Sequence, residues 1–123
     1  MATIKSYTDI EQSKKLAEIL PLESADMFYR TDGSVKLMWE HLKNIPVTTP
    51  SWSLAALLDA LPQEILEGEF VINITEGLDN KWIITYDHID NVNHSFYGLS
   101  TGADNLVDAC VDLLTKLKDR KMV

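Results

Sequence analysis

The chain has a single cysteine, Cys110, so it can form no internal disulfide and offers no cysteine pair to a metal cluster. It has no apolar run approaching the ~20 residues that a membrane-spanning helix needs. Its opening, MATIKSYTDIEQSKK, lacks the apolar core of a signal peptide. These absences lead us to expect a cytoplasmic protein with no membrane association. There is no P-loop, G-x-G-x-x-G, C-x-x-C or G-x-S-x-G, and no S-x-x-K pair, so the familiar phosphate-binding, redox and nucleophile-elbow chemistries have no sequence support. Basic residues are scarce where acidic ones are dense. From Asp59 to Asp112 there are eleven Asp or Glu and one base, Lys81, whereas the rest of the chain has eight acids and ten bases. The formal charge is −8. Such a body has no cations with which to displace the counterions of a phosphate backbone, which argues against direct nucleic-acid binding. It can attract a basic protein partner, although solubility alone is the plainer explanation of an acidic surface.

What is present is an ordinary globular composition, 123 residues with 46% apolar and 24% charged, enough for one domain over 1–123 with its own core. The spacing of Thr8 and Glu11 is that of a capping box opening a helix over about 8–20, which Pro21 stops. PSWSLAALLDALP (50–62) reads as a second helix over about 52–61, capped by Ser51 or Ser53 and ended by Pro62. Asp59 is its only charge, so the helix is apolar on nearly every side and must be covered by something. The third helix, over about 103–119, buries a stripe of Leu106, Cys110, Leu113, Leu114 and Leu117 with Val107 and Val111 at its margin. It turns Asp104, Asp108, Asp112, Lys116 and Arg120 to solvent, with Asp112 and Lys116 as an i,i+4 pair.

FVINITEGLDNKWIITYDH (70–88) reads as an antiparallel hairpin. Pairing 74 with 84 and 72 with 86 collects Phe70, Ile72, Ile74, Trp82, Ile84 and Tyr86 on one face. Val71, Asn73, Thr75, Ile83, Thr85 and Asp87 fall on the other, and a one-residue slip would mix the two sets. SFYGL (95–99) is expected as a third strand after the polar turn DNVN. Between 27 and 42 two readings compete. One is a hairpin turning on Asp32-Gly33, with Phe28, Val35, Leu37 and Trp39 on one face; the other is a helix from Ser34. We favour the hairpin. The expected fold is therefore α+β, with three helices against an antiparallel sheet of three to five strands built on a meander over about 69–99.

Few residues carry chemistry. YDHIDNVNH (86–94) gathers Asp87, His88, Asp90 and His94, which could in principle ligate Zn²⁺. The spacing matches neither H-x-x-x-H nor a calcium loop, however, and Asp and Asn are turn formers, so no metal or other cofactor is expected. Cys110 sits in an apolar stripe and reads as an inert core thiol. Glu67, Glu69 and Glu76 could supply an acid/base pair, and Trp52, Trp82 and Tyr86 could line an apolar pocket, but solvated charges and core packing are the favoured explanations. The sequons at Asn73 and Asn93 have no meaning without secretion.

EQSKKLAEILPLESADM, PSWSLAALLDALP and ADNLVDACVDLLTKL resemble three landmarks of a group of small uncharacterised proteins from Bacteroides and related gut bacteria, many of them borne on prophages or other mobile elements. The resemblance spans most of the chain, least of all 28–48. It implies a bacterial cytosolic setting and a mobile-element role, and brings no activity or catalytic residue with it. The leading expectation is a non-enzymatic protein-interaction module, plausibly a homodimer, acting through the acidic face or the apolar helix residues Trp52, Leu54, Leu57, Leu58 and Leu61. The alternative is a small enzyme or ligand-binding domain with an apolar pocket between the sheet and the 52–61 helix.

Overall fold

The computed structural model describes residues 5–29, 34–37, 49–77, 81–96 and 98–122. In chain order these form α1 (Ile10–Ala17), a short 3₁₀ turn (Leu22–Ser24), β1 (Met27–Tyr29), β2 (Val35–Leu37), β3 (Thr49–Ser51), α2 (Leu54–Ala60), β4 (Glu64–Ile65), β5 (Phe70–Glu76), β6 (Trp82–His88), β7 (Asn91–Ser95), β8 (Thr101–Ala103) and α3 (Leu106–Asp119). The class is α+β, with helices packed on antiparallel sheet as the sequence implies.

The main sheet has the order β4-β5-β6-β7, with β8 also pairing β6. Ile72 lies opposite Tyr86 and Ile74 opposite Ile84, the register that the apolar pattern selects. The inner face carries Phe70, Ile84 and Tyr86 into the core; Val71, Asn73, Thr75 and Ile83 on the other face are exposed. Four strands were not anticipated as such: β3, β4, β7 and β8. β4 is two residues long, and the turn joining it to β5 holds Leu66, Glu67 and Gly68 in left-handed backbone. β8 replaces the expected strand at 95–99. The polar segment read as a turn is itself β7, and only Ile89-Asp90 turns between β6 and β7. β7 and β8 follow the same edge of β6, with a register shift between Asp87 and His88 and an excursion at 98–100 before β8. That excursion sinks Leu99 fully into the core and places Gly98 at φ +82° against Arg120, where any Cβ would collide with the guanidinium.

β1 and β2 do form the favoured hairpin, which excludes a helix at 35–37. Its register is one residue from the expected one. Tyr29 opposes Val35 and Phe28 opposes Lys36, so Phe28 and Val35 do not share a face. A tight turn centred on Asp32-Gly33 requires the other pairing; that turn and Trp39 lie outside the described residues. The hairpin does not extend the main sheet. It pairs instead with β3 as a separate sheet of order β2-β1-β3, where Pro50 is accommodated because β3 is an edge strand.

α1 is capped one residue later than its spacing suggests. Asp9, not Thr8, accepts from the Gln12 amide at 2.8 Å, and the Gln12 side chain accepts from the Asp9 N–H at 3.2 Å. Thr8 is drawn inward. Its buried hydroxyl meets Ser13 Oγ at 2.7 Å and Ser51 Oγ at 3.1 Å and accepts from the Trp52 N–H at 3.1 Å. α2 is capped by Ser53, whose N–H and hydroxyl both donate to Asp26. α3, capped by Asn105, packs on β6 and β8 and touches both other helices. Its Asp112–Lys116 pair closes at 3.1 Å.

The helix that opened the question of cover is largely enclosed by its own chain. Leu57 and Leu61 are core, Leu54, Ala56, Leu58 and Ala60 pack against it from the margin, and only Ala55 and Asp59 are exposed. No helix among the described residues is long and apolar enough to cross a membrane.

Ion pairs tie Lys5, near the N-terminus, to α1 and α3. Lys5 Nζ lies 2.8 Å from Asp108 and 3.2 Å from Asp9. Burial pushes the Asp108, Asp112 and Asp87 carboxyls up, but hydrogen bonds outweigh it and hold all three below the ordinary 3.8. The donors are Lys5, Gln12 and Asn105 for Asp108, Thr101 and Lys116 for Asp112, and Asn73, Ser95 and Thr85 for Asp87. Depressed carboxyl values in the folded state add stability that is present above the unfolded value and lost as pH falls through the folded ones. Unfolding followed by circular dichroism should therefore show stability falling as pH drops to 3.8 and below. Replacing Asp108 by Asn should flatten that limb.

Candidate functional site

The metal candidates are brought near one another but not into a ligand set. Asp87 faces outward from β6, with Oδ1 accepting from Ser95 Oγ at 2.7 Å and Oδ2 from Asn73 Nδ2 at 2.9 Å. His88 points to the inner face, since it pairs with Phe70. Its Nδ1 accepts from the Asp90 N–H at 3.1 Å, which leaves the ring proton on Nε2, 3.4 Å from Glu69. Both ring nitrogens are thus engaged. Phe70 meets the His88 ring edge-on at 5.2 Å, His94 at 5.9 Å and Phe96 edge-on at 5.3 Å, and the Arg120 guanidinium covers Phe96 at 5.5 Å. The two histidines belong to an aromatic cluster closing one end of the sheet. Asp90 is exposed on the turn. Among the described residues no group of three or more His, Cys, Asp or Glu is placed to hold a metal ion.

The other nominated chemistry is dispersed. Cys110 is fully buried, and burial pushes its thiol up to about 12, so it is protonated and unreactive at neutral pH. Glu69 and Glu76 bracket β5, and a strand rise of ~3.3 Å per residue separates them by roughly 20 Å. Glu67 is exposed in the turn before β5. Trp52 and Tyr86 are fully buried with their polar atoms satisfied, Trp52 Nε1 donating to Ser24 Oγ at 3.0 Å and the Tyr86 hydroxyl to the Pro62 carbonyl at 2.7 Å. Trp82 is half-buried at the far end of β6. Of the helix residues nominated for interaction, Trp52, Leu57 and Leu61 lie in the core, and Leu54 and Leu58 keep part of their surface.

The outer face of the main sheet is where apolar surface and fixed charge meet. Directly opposed residues share a face, so Glu64, Val71, Asp87 and Ser95 form one cross-strand row, Asn73 and Thr85 the next, and Thr75, Ile83 and Gly102 a third. Val71, Ile83 and Ile89 are 38%, 36% and 54% exposed. Asp87 among them is only 8% exposed, screened by its neighbours rather than sunk in the core. A depression of about 330 Å³ lies over it, lined by Val71, Ile72, Asn73, Asp87, His88 and Ile89. The sequence places Asp87 on this face. What it does not reveal is the hydrogen-bonded cradle, which could have been read from Asn73 standing diagonally across the favoured register.

Fold and site together define a small α+β protein with α3 packed on one side of its main sheet and, among the described residues, exposed apolar side chains and two carboxylates on the other. Compared with protein-family models, curated proteins and solved structures, the chain matches none.

Proposed function

We propose that this is a non-enzymatic protein-interaction module that docks a basic partner on the open face of its main sheet. The observation that carries this reading is the exposure of Val71 and Ile83 beside Glu64 and the shielded carboxylate of Asp87, in three rows that contain no Lys or Arg. Ile89 is exposed in the adjoining turn, and Lys81 and Lys116 are confined to the Ile83 end. Apolar area supplies affinity, and the uncompensated charge selects the sign of the partner. The same charge disfavours a second copy of the chain there, because a two-fold contact sets the face against itself and brings like charges together. The reading takes the docking surface away from α2, whose nominated residues serve the core, and assigns it to the acidic region. A cytoplasmic, phage-borne setting, as the resemblance implies, accords with such a module and belongs to the same proposal.

The test is selection of peptides on the immobilised protein, with pools carrying Arg or Lys, or Glu, at the centre of an aliphatic segment. Basic pools should be enriched, with capture weakening as salt rises. Val71→Lys, which sets an ammonium opposite Asp87, should reduce capture about tenfold, the loss of one charge-assisted contact. Equal capture of basic and acidic pools, or capture unmoved by Val71→Lys, overturns the reading. So does a concentration-dependent dimer in sedimentation that Val71→Lys disperses, since it assigns the face to a second copy.

A further inference from the structure

The geometry points to the depression over Asp87 as a receptor for a single arginine side chain of the partner. This inference rests on the docking face just described and names what the partner must insert. A carboxylate has about four acceptor positions, two on each oxygen. Ser95 occupies one on Oδ1, Asn73 one on Oδ2, and Thr85 donates as well, which leaves acceptor capacity for an incoming donor. A carboxylate held at both oxygens presents what capacity remains in a fixed plane, which suits the planar N–H fork of a guanidinium better than an ammonium.

Among the described residues Asp87 also has no cation of its own. Asp9, Asp108 and Asp112 each have a lysine within 3.2 Å, whereas among the described residues Asp87 forms no ion pair. Its hydrogen bonds are all to neutral donors. The donors favour the ionised form, so the charge is present at neutral pH. Holding that charge at low exposure costs desolvation that is already incurred on folding, so an incoming cation meets a field less screened than at an open surface carboxylate. Val71 and Ile89 border the depression and give apolar contact to the methylene stem and to the weakly hydrated faces of a guanidinium.

The experiment uses the full chain labelled with ¹⁵N and three tripeptide probes, acetyl-Val-X-Val-amide with X as arginine, lysine or citrulline. The arginine probe should move the amide signals of Val71, Asn73, Asp87 and Ile89. The lysine probe should bind several-fold more weakly, and citrulline, its neutral isostere, should leave those signals in place. Asp87→Asn keeps the shape of the side chain and removes the charge, and should weaken the arginine probe about tenfold or more. The citrulline control reports the charge requirement on the unaltered protein, whatever the variant does to folding. If lysine binds as well as arginine, or Asp87→Asn binds as well as the unaltered chain, the arginine receptor is refuted. The docking face itself stands in that case, provided Val71→Lys still blocks the basic pools. Signals that move only elsewhere, together with pools that ignore Val71→Lys, refute both.

Discussion

Replacing Trp52 by Ala should cost about 3–5 kcal/mol, the largest single-residue loss expected in this protein. Trp52 is fully buried and is the bulkiest core side chain among the described residues. It lies between β3 and the cap of α2, so its indole fills space that the helix, the 3₁₀ turn and the N-terminal segment all border. Domains of this kind have about 5–15 kcal/mol of total stability, so the variant should melt roughly 10 to 20 °C lower or fail to accumulate folded. Trp52→Phe separates packing from hydrogen bonding. It keeps most of the ring volume and gives up only the N–H to Ser24, whose hydroxyl is only partly buried and already bonds the Pro21 carbonyl at 2.6 Å. Its loss should be about 1–2 kcal/mol beside the larger figure for Ala. Equal losses in the two variants would mean that the bond, rather than the buried ring, holds the region together. Thermal and urea unfolding read both.

The second large effect should come from Thr8→Val, a change that preserves shape. The Thr8 hydroxyl is the centre of a buried polar knot. It accepts from the Trp52 amide, meets Ser13 and Ser51, and lies beside the Thr8 carbonyl that receives the Tyr29 hydroxyl at 2.7 Å. Valine leaves the Trp52 N–H without its acceptor and the Ser13 hydroxyl without the partner it has here. A buried polar group that loses its partner costs about 1–3 kcal/mol, so a total of about 2–4 kcal/mol is expected. Thr8→Ser, which retains the oxygen, should recover most of it. The knot ties residues 6–8 to 52–54 through backbone bonds between Thr8 and Trp52 and between Leu54 and Ser6. Amide exchange in these segments should therefore accelerate in the Val variant more than in α3. A loss below 1 kcal/mol would show that water replaces the hydroxyl without penalty.

These two residues also show where the sequence was legible and where it was not. The β5–β6 register could be read in full, because alternating Ile, Trp and Tyr leave one pairing that keeps the aromatics inside. α3 was equally open to reading, since a fourteen-residue helix repeats its apolar period often enough to be unmistakable. Thr8 was misread because T-x-x-E and D-x-x-Q are offset by only one residue at the start of α1. Local spacing cannot tell which hydroxyl or carboxylate caps and which is taken into tertiary bonds. β4 and β8 escaped because strands of two and three residues are defined by their partners on β5 and β6, not by a pattern of their own. Trp52 was seen as apolar surface seeking cover. That its cover is Ser24 and the N-terminal segment depends on contacts between residues far apart in the chain. The candidate site was half legible: Asp87 could be placed on the outer face, but its shielding comes from Asn73 and Ser95 on the two neighbouring strands.

The central claim is that this chain meets its partner on the outer face of the main sheet and not on α2. The most direct measurement is a map of backbone amide shifts on adding the arginine-centred peptide pool. The expected result is movement confined to 71–75, 83–89 and neighbouring positions of β7, with the amides of Leu54–Ala60 unmoved. Movement centred on Leu54 and Leu58, with the sheet face silent, would contradict it.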